Sequence, residues 1–390
     1  MKKCMGTGRM KILFLGLAST YTEGMTYQDN YYCLLTVEKG FDVTYISNPE
    51  KFIDGKIVDV APSDNFTDDG YRLIRVPYKK IINDTITKKV RVFEGVYDLI
   101  NQISPDVIYC HNSQYWNILD VVKYKRNNPR VLFYIDTHTS KMNSAQTWLS
   151  LNVLHKLYYK TLLKVAIKYS DGYFYVGEDE KEFSNQVYNI PITNMKYYPL
   201  GGTLLSKDEF ELFREEKRKE LNVYKDELLL IHTGKLDELK KTELLLRAFS
   251  SVPDLKAKLV IIGSIPKSRE AIIEPLINND NRIAFLGWKS GNELQKYLCA
   301  ADLYCQPGSV SATLQNAICN YCAIMSYPHK SYVKALDFNQ FIWTKDYNEI
   351  VDSLIKIDKG EINIDILKCN SEECAKELLD YRKMINCIFG

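Results

Sequence analysis

The sequence predicts an α/β protein with two doubly wound parallel-sheet domains in series, and three observations predict it. Short apolar runs alternate with longer amphipathic stretches through the first half, the pattern of strands joined by crossover helices. The alternation restarts after Gly201-Gly202. The length, 390 residues, exceeds one ordinary domain and suits two of about 150–200 residues each.

Taken in order, Lys11–Ala18 reads as the first strand, Tyr27–Lys39 as a helix closed by Gly40, and Phe41–Ile46 as the next strand. Strands follow at Leu73–Val76, Val107–Cys110, Val131–Ile135, Gly172–Val176 and Met195–Tyr198, with a long helix over Leu149–Ser170. In the second half Asp208–Asn222 is a charged helix, Glu227–Ile231 a strand and Leu239–Phe249 a helix. Lys258–Ile262, Ile283–Phe285, Leu303–Cys305 and Ala323–Ser326 are strands, with helices at Gly291–Cys299 and Ala312–Cys319. This is a second Rossmann-like unit. Ser371–Ile388 is helical in period. Ligands of such sheets bind at the carboxyl ends of the strands, so residues there have first claim on function.

Composition narrows the partners. Hydrophobic residues make up 46% and charged residues 26%, and the net charge is +2. That is the balance of a globular protein with no global field that calls for nucleic acid. The 28 tyrosines against 4 tryptophans suit a carbohydrate site, but the base composition of a genome explains them as well. Ten cysteines are scattered through the chain, which fits reduced, buried thiols of the cytosol better than a disulfide scaffold. Cys319 and Cys322 form one C-x-x-C without a second pair at zinc spacing. No apolar run approaches the about 18 residues that cross a bilayer. The start mimics a signal peptide but lacks a small-residue cleavage site; it reads as an extension before Met10 followed by the first strand. A nicotinamide dehydrogenase would carry G-x-G-x-x-G after that strand, where STYTEG stands.

The segment GKLDELKKTELLLRAF (Gly234–Phe249) follows an expected strand and opens a helix. It resembles, without a gap, the G-R-L-x-x-x-K-G…L-L-x-A-F segment of the family-four glycosyltransferases. The resemblance implies the GT-B fold: two Rossmann-like domains facing each other across a cleft. In that family the Arg and Lys grip the diphosphate of a sugar donor, and they correspond here to Lys235 and Lys240, after Gly234. The chemistry agrees. Breaking a sugar–phosphate bond loads negative charge on the diphosphate, and fixed cations beside a helix N-terminus stabilise it. Lys for Arg keeps the charge but loses the two-pronged fork. KLVIIGS, with Gly263, and NRIAFLGWKSGNELQKYLCAADLYCQPGS continue the similarity. The family's F-L-G turn lies against the nucleotide base, which implies a place there for Gly287, Trp288 and Lys289. For Trp288 ordinary packing stays open.

The next segment departs from the family. Two glutamates are usual there, the second holding the ribose hydroxyls. Here Asn316 aligns with the second and Gly308 with the first. Asn hydrogen-bonds a hydroxyl less strongly than a carboxylate does. Ser309, Ser311 and Thr313 crowd the start of this helix, as anion contacts or as simple N-caps. In the first half YIDTHTSKMNSA resembles the family's F-H-T-S element, which implies that His138 contacts the transferred sugar. Asp136 and His111 also fall at strand ends, without chelating spacing. Gly24, in the loop after the first strand, is either a turn or a close approach to the ligand.

The resemblance implies a retaining, metal-independent hexosyltransferase. Its co-substrate would be a nucleoside-diphosphate sugar, UDP- over GDP-linked, with no other cofactor. The acceptor would be a glycan or lipid-linked glycan of a bacterial cell-surface polysaccharide. The expected acceptor-side domain is 1–203, with 371–390 packing back on it, and the donor domain is 204–370. The expected place is the cytoplasm at the inner face of the membrane. Two basic clusters, Lys79–Arg91 and Lys123–Arg130, and the row Lys156, Lys160, Lys164, Lys168 admit peripheral membrane contact as well as a plain solvated face. The missing glutamates leave a second reading: a non-catalytic glycan-binding or accessory protein.

Overall fold

A computed structural model describes residues 9–53 and 56–389. Cys4 and all but Arg9 of the expected extension before Met10 lie outside them, as does Gly390. The chain divides into two compact units, one of residues 1–199 with 382–390 and one of 200–381.

The first unit holds an eight-stranded sheet in the order Met195–Tyr197, Gly172–Tyr175, Leu132–Thr137, Val107–Cys110, Lys11–Gly16, Asp42–Ser47, Arg72–Arg75, Ser63–Phe66. All neighbours run parallel except the last pair. Strands covered on both faces must be apolar on both, so Val107–Cys110 is buried throughout and Lys11–Gly16 nearly so. The second unit repeats the design with six parallel strands: Ile283–Phe285, Ala257–Ser264, Leu228–Lys235, Leu303–Gln306, Ala323–Ser326, Phe341–Trp343. Both are Rossmann-like, doubly wound units. Each has its order reversal beside its first strand, where ligands of such sheets bind.

The tyrosines are core material. Eight of the twelve largest fully buried side chains are Tyr, each an apolar body whose hydroxyl needs a partner. Tyr109 donates to Asp136 at 3.0 Å, Tyr45 to Asp29 at 2.9 Å, and Tyr173 meets Ser184 at 3.0 Å. Burial, and not a sugar platform, accounts for these. The nine described cysteines are all free and seven are buried. Cys319 points to the Leu379 carbonyl and Cys322 to that of Leu298, so the C-x-x-C pair serves two different neighbours.

Three expectations change. Glu50–Ile53 with Lys56–Asp59 forms a two-stranded ribbon, and Ser63–Phe66 an antiparallel edge. All three strands are short; Ser63–Phe66 is mostly polar, and the apolar Phe52, Ile53 and Ile57 of the ribbon are exposed. The helix expected over 149–170 is π-helical over Ser150–Tyr159 before Lys160–Ala166. The helix expected over 371–390 divides. Ile364–Cys374 and Ala375–Leu379 belong to the second unit, with Cys374, Ala375 and Leu379 in its core. Asp380 leaves the helix to bridge Gly202. Only residues 382–390 group with the first unit, where Phe389 meets Phe14 at 5.8 Å between ring centroids.

Asp302 ties the second unit together. It is 5% exposed and accepts from Arg214 (2.6 Å), Arg218 (2.9 Å), Lys368 (3.2 Å) and the Leu229 amide (2.9 Å). Burial works to raise its pKa, but Arg214, Lys368 and the Leu229 N–H outweigh it and hold the carboxyl below its usual value. Its stabilisation is therefore present above the unfolded carboxylate pKa and is lost as pH falls through the lower folded one. Asp302→Asn is expected to cost about 3 kcal/mol at neutral pH by urea unfolding. The difference from the parent should shrink below about pH 4.

Candidate active site

The residues expected to hold a donor gather where the strand Leu228–Lys235 turns into the helix Thr242–Ser250. Gly234 has φ 130° and Gly263, its register partner on the next strand, φ 147°. A Cβ on Gly263 would stand 1.8 Å from the Gly234 carbonyl oxygen, so only glycine lets the two backbones approach this closely. The turn beyond is held at several points. Leu236 donates to the Ser264 carbonyl (2.9 Å), and the Leu239 carbonyl accepts from Ser309 N–H (2.8 Å). The Asp237 side chain caps Leu239 at 3.1 Å. Below it the His232 imidazole, fully buried, donates from Nδ1 to the Cys305 carbonyl (2.7 Å) and meets the Thr242 hydroxyl at Nε2 (3.0 Å). Burial lowers its pKa to about 4, so it is a neutral strut.

A cavity of about 260 Å³ opens here, lined by Gly234, Lys235, Gly263, Trp288, Lys289 and Thr313 among others. Six of the expected donor residues thus share one site. Gly287 adjoins it, its carbonyl accepting from Gly263 N–H at 3.0 Å. Trp288 is 71% exposed, so it is not ordinary core packing. Lys240 lies against Gly234, its Cε 3.2 Å from where a Cβ would stand, and its ammonium donates to the Val310 carbonyl at 3.2 Å. Burial draws its pKa down, against the pull of Asp237. Ser311 caps the helix Ala312–Cys319 by accepting from Thr313 N–H at 3.3 Å.

Two expected residues stand apart. Ser309 has its N–H committed to Leu239 and its carbonyl to Gln306, so its backbone is structural. Asn316 lies a turn further along the helix, its Oδ1 facing Gly202. Gly308 explains the missing glutamate. A Cβ there would meet the Leu239 carbonyl oxygen at 2.1 Å and the Lys240 carbonyl carbon at 2.6 Å. The turn has closed over the position, and no side chain fits.

In the first unit His111 and His138 follow neighbouring strands that pair Cys110 with Ile135. Spacing along the chain had shown nothing chelating, yet the sheet brings one atom each of His111, Asp136 and His138 within 4.8 Å of one another. Asp136 is 1% exposed and accepts from the Asn112 amide (2.7 Å), Tyr109 (3.0 Å) and His111 Nδ1 (2.9 Å), with His138 Nε2 at 3.5 Å. Asp29 lies 3.9 Å from the other side of His111. Burial opposes charge on both partners. His111 and then His138 nevertheless hold Asp136 well below the carboxylate range, and Asp136 with Asp29 raises His111 to about 9. A cation would need His111 neutral, whereas two flanking carboxylates favour its imidazolium. His138 is fixed through its backbone, its N–H donating to Asn112 Oδ1 at 2.9 Å and its carbonyl accepting from Asn143 at 2.6 Å. Its ring stays directed at Asp136. Gly24 is exposed, with φ 74° and open space around it. The sequence drew no attention to Asp29, a buried acid in the first turn of the first helix, because its partner His111 is distant in the chain.

Residues 213–359 match the family model described as glycosyl transferases group 1. That match falls within the second unit. Comparison with curated proteins finds no match. Solved structures match over both units. Sucrose-phosphate synthase from Thermosynechococcus elongatus is 15% identical with a TM-score of 0.66, covering 97% of each chain. HepE of Anabaena in complex with UDP is 14% identical with a TM-score of 0.63, over 97% of this chain and 98% of that one. The catalytic domain of starch synthase IV from Arabidopsis thaliana, bound to ADP and acarbose, is 13% identical with a TM-score of 0.64, over 98% of each. These likenesses show the fold, which is GT-B.

Two outcomes follow from the geometry. Gly308→Glu should lower the unfolding midpoint in a thermal melt, at a cost of roughly 2 kcal/mol in stability, because the glutamate side chain has no space to enter. His111 has a raised folded pKa, so its ion pairing stabilises fully below the unfolded value of about 6.5 and fades as pH rises through about 9. Urea unfolding of His111→Gln should therefore differ from the parent most near pH 6 and least above about pH 10.

Proposed function

We propose that the chain is a retaining glycosyltransferase that moves a hexosyl group from a nucleoside-diphosphate sugar, UDP-linked by preference, to a glycan or lipid-linked glycan. The carrying observation is the cavity at the strand end, where Lys235, Lys289 and Thr313 meet Gly234 and Gly263, with Lys240 beside Gly234. All lie inside the segment matched by the family model. The complexes of HepE with UDP and of starch synthase IV with ADP support a nucleoside diphosphate as occupant.

In this reading Lys235 and Lys240 take the diphosphate, helped by the amide end of the helix Ala312–Cys319. Ser311 and Thr313 line its first turn, and Asn316 is assigned to the ribose. Gly287, Trp288 and Lys289 are assigned to the base, and Gly24 to backbone contact with the donor. Charge develops on the diphosphate as the anomeric C–O bond to phosphate breaks, and the fixed ammonium groups favour that state over the ground state. The acceptor oxygen bonds to the anomeric carbon on the face the phosphate leaves, and its proton passes to a phosphate oxygen. The route uses no metal. His138 contacts the sugar, and the pathway is synthesis of a cell-surface polysaccharide at the inner face of the membrane.

One observation favours a second reading. Gly308 stands where a glutamate is expected, and its site has no room for one. A donor-binding protein without transfer activity would tolerate that loss. Donor hydrolysis by the purified chain separates the two, and its absence alongside tight UDP binding would select the second.

Lys235→Ala with Lys240→Ala should fold normally and lose roughly 3 kcal/mol or more of UDP affinity by calorimetry. Affinity like the parent's would remove the donor site from this cavity. His138→Ala should slow transfer by about a hundredfold while changing UDP affinity little.

A further inference from the structure

The helix spanning Ser150–Tyr159 and Lys160–Ala166 buries one side, with His155, Tyr159, Leu162, Leu163 and Ala166 inward. It is anchored from below, Tyr158 Oη donating to the Val90 carbonyl at 3.0 Å and Tyr159 to that of Lys89. Its other side is apolar and bare. Leu149, Val153 and Leu157 recur every four residues on it, and Leu149 and Leu157 are 62% and 64% exposed. Trp148 precedes them at 74% and Met142 at 64%. Ile81 and Ile82 are exposed in the segment that leads to Val90.

Charge accompanies this surface. Lys156, Lys160, Lys164 and Lys168 follow at the same four-residue interval. Among the described residues none of these four is in an ion pair, and Lys156 reaches only Asn152 Oδ1, at 3.2 Å. Between Asp136 and Asp171 the sequence has no acidic residue. Lys79, Lys80 and Lys89 lie exposed in the neighbouring segment. Scattered surface leucines need no explanation, but a run of large apolar groups continuous with uncompensated lysines does.

We propose that this helix face is a docking surface for an anionic lipid membrane. Trp148, Leu149, Val153 and Leu157 enter the headgroup boundary, and the lysine row meets lipid phosphates. A helix with bulky apolar residues beside cations lies in such an interface rather than across it, and no described helix is long and apolar enough to cross. A second copy of the chain is a poorer occupant, because a two-fold contact would set the same lysine row against itself. The proposal deepens the part of the functional reading that sets the acceptor at a membrane, and it is independent of the donor cavity.

Vesicle flotation of the full chain tests it, with phosphatidylcholine alone and with phosphatidylglycerol added. The chain should float with the anionic vesicles only, and less so at high salt. Leu149→Asp with Leu157→Asp should weaken that binding about tenfold or more. Lys156→Glu, Lys160→Glu and Lys164→Glu together should do the same. Both variants should keep the parent's melting temperature and UDP affinity, which separates a failed surface from a failed fold or donor site. Absence of flotation with anionic vesicles, or variants that float like the parent, would overturn the proposal. So would a solution dimer, seen by light scattering, that Leu157→Asp disperses while the parent binds no vesicles.

Discussion

The second unit turns on backbone packed against backbone. Gly263 sits on the Gly234 carbonyl and Gly308 on the Leu239–Lys240 peptide, each closer than any Cβ would allow. Those contacts hold the turn from 235 to 241 down on the sheet. They set Lys240 across Gly234, leave the cavity beside Lys235, and remove the space a side chain at 308 would need. A close approach of this kind cannot be relaxed by a rotamer change, so the shape of the cavity follows from three missing side chains.

Two buried histidines, His232 and His111, are handled in opposite ways. His232 is enclosed between a carbonyl and a hydroxyl, and burial keeps it neutral. His111 is enclosed between two carboxylates, and their charge overrides the same burial. The first is a strut under the turn from 235 to 241. The second makes the end of the first sheet a charged centre whose carboxylate, Asp136, also faces His138. Identical side chains thus differ in charge because of their immediate partners, not because of depth.

The tyrosines show how composition misleads when read by itself. Tyr45, Tyr109 and Tyr304 are enclosed with their hydroxyls on Asp29, Asp136 and Gln306. They fill the core, and Tyr45 and Tyr109 at the same time orient two buried acids. Tyr45 reaches Asp29 by crossing Gly16, where a Cβ would stand 1.7 Å from its hydroxyl. That glycine at the end of the first strand is a packing necessity.

By itself the sequence determined the parallel α/β architecture, because strands buried on both faces must be apolar runs and the helices between them must be periodic. Val107–Cys110 and Ala323–Ser326 are legible to the residue for that reason. It also marked Gly234, Lys235, Gly263, Trp288, Lys289 and Thr313, which share a cavity because each follows or adjoins a strand end. Short polar strands such as Ser63–Phe66 escaped, since an exposed edge needs no apolar pattern. So did the break at Asp380, whose cause is Gly202, far away in the chain. Tertiary structure alone decided that Gly308 excludes a side chain, that Asn316 faces Gly202, and that Asp29, His111 and Asp136 form one charged array. Each of these depends on contacts between residues distant in sequence, and local propensity carries no record of them.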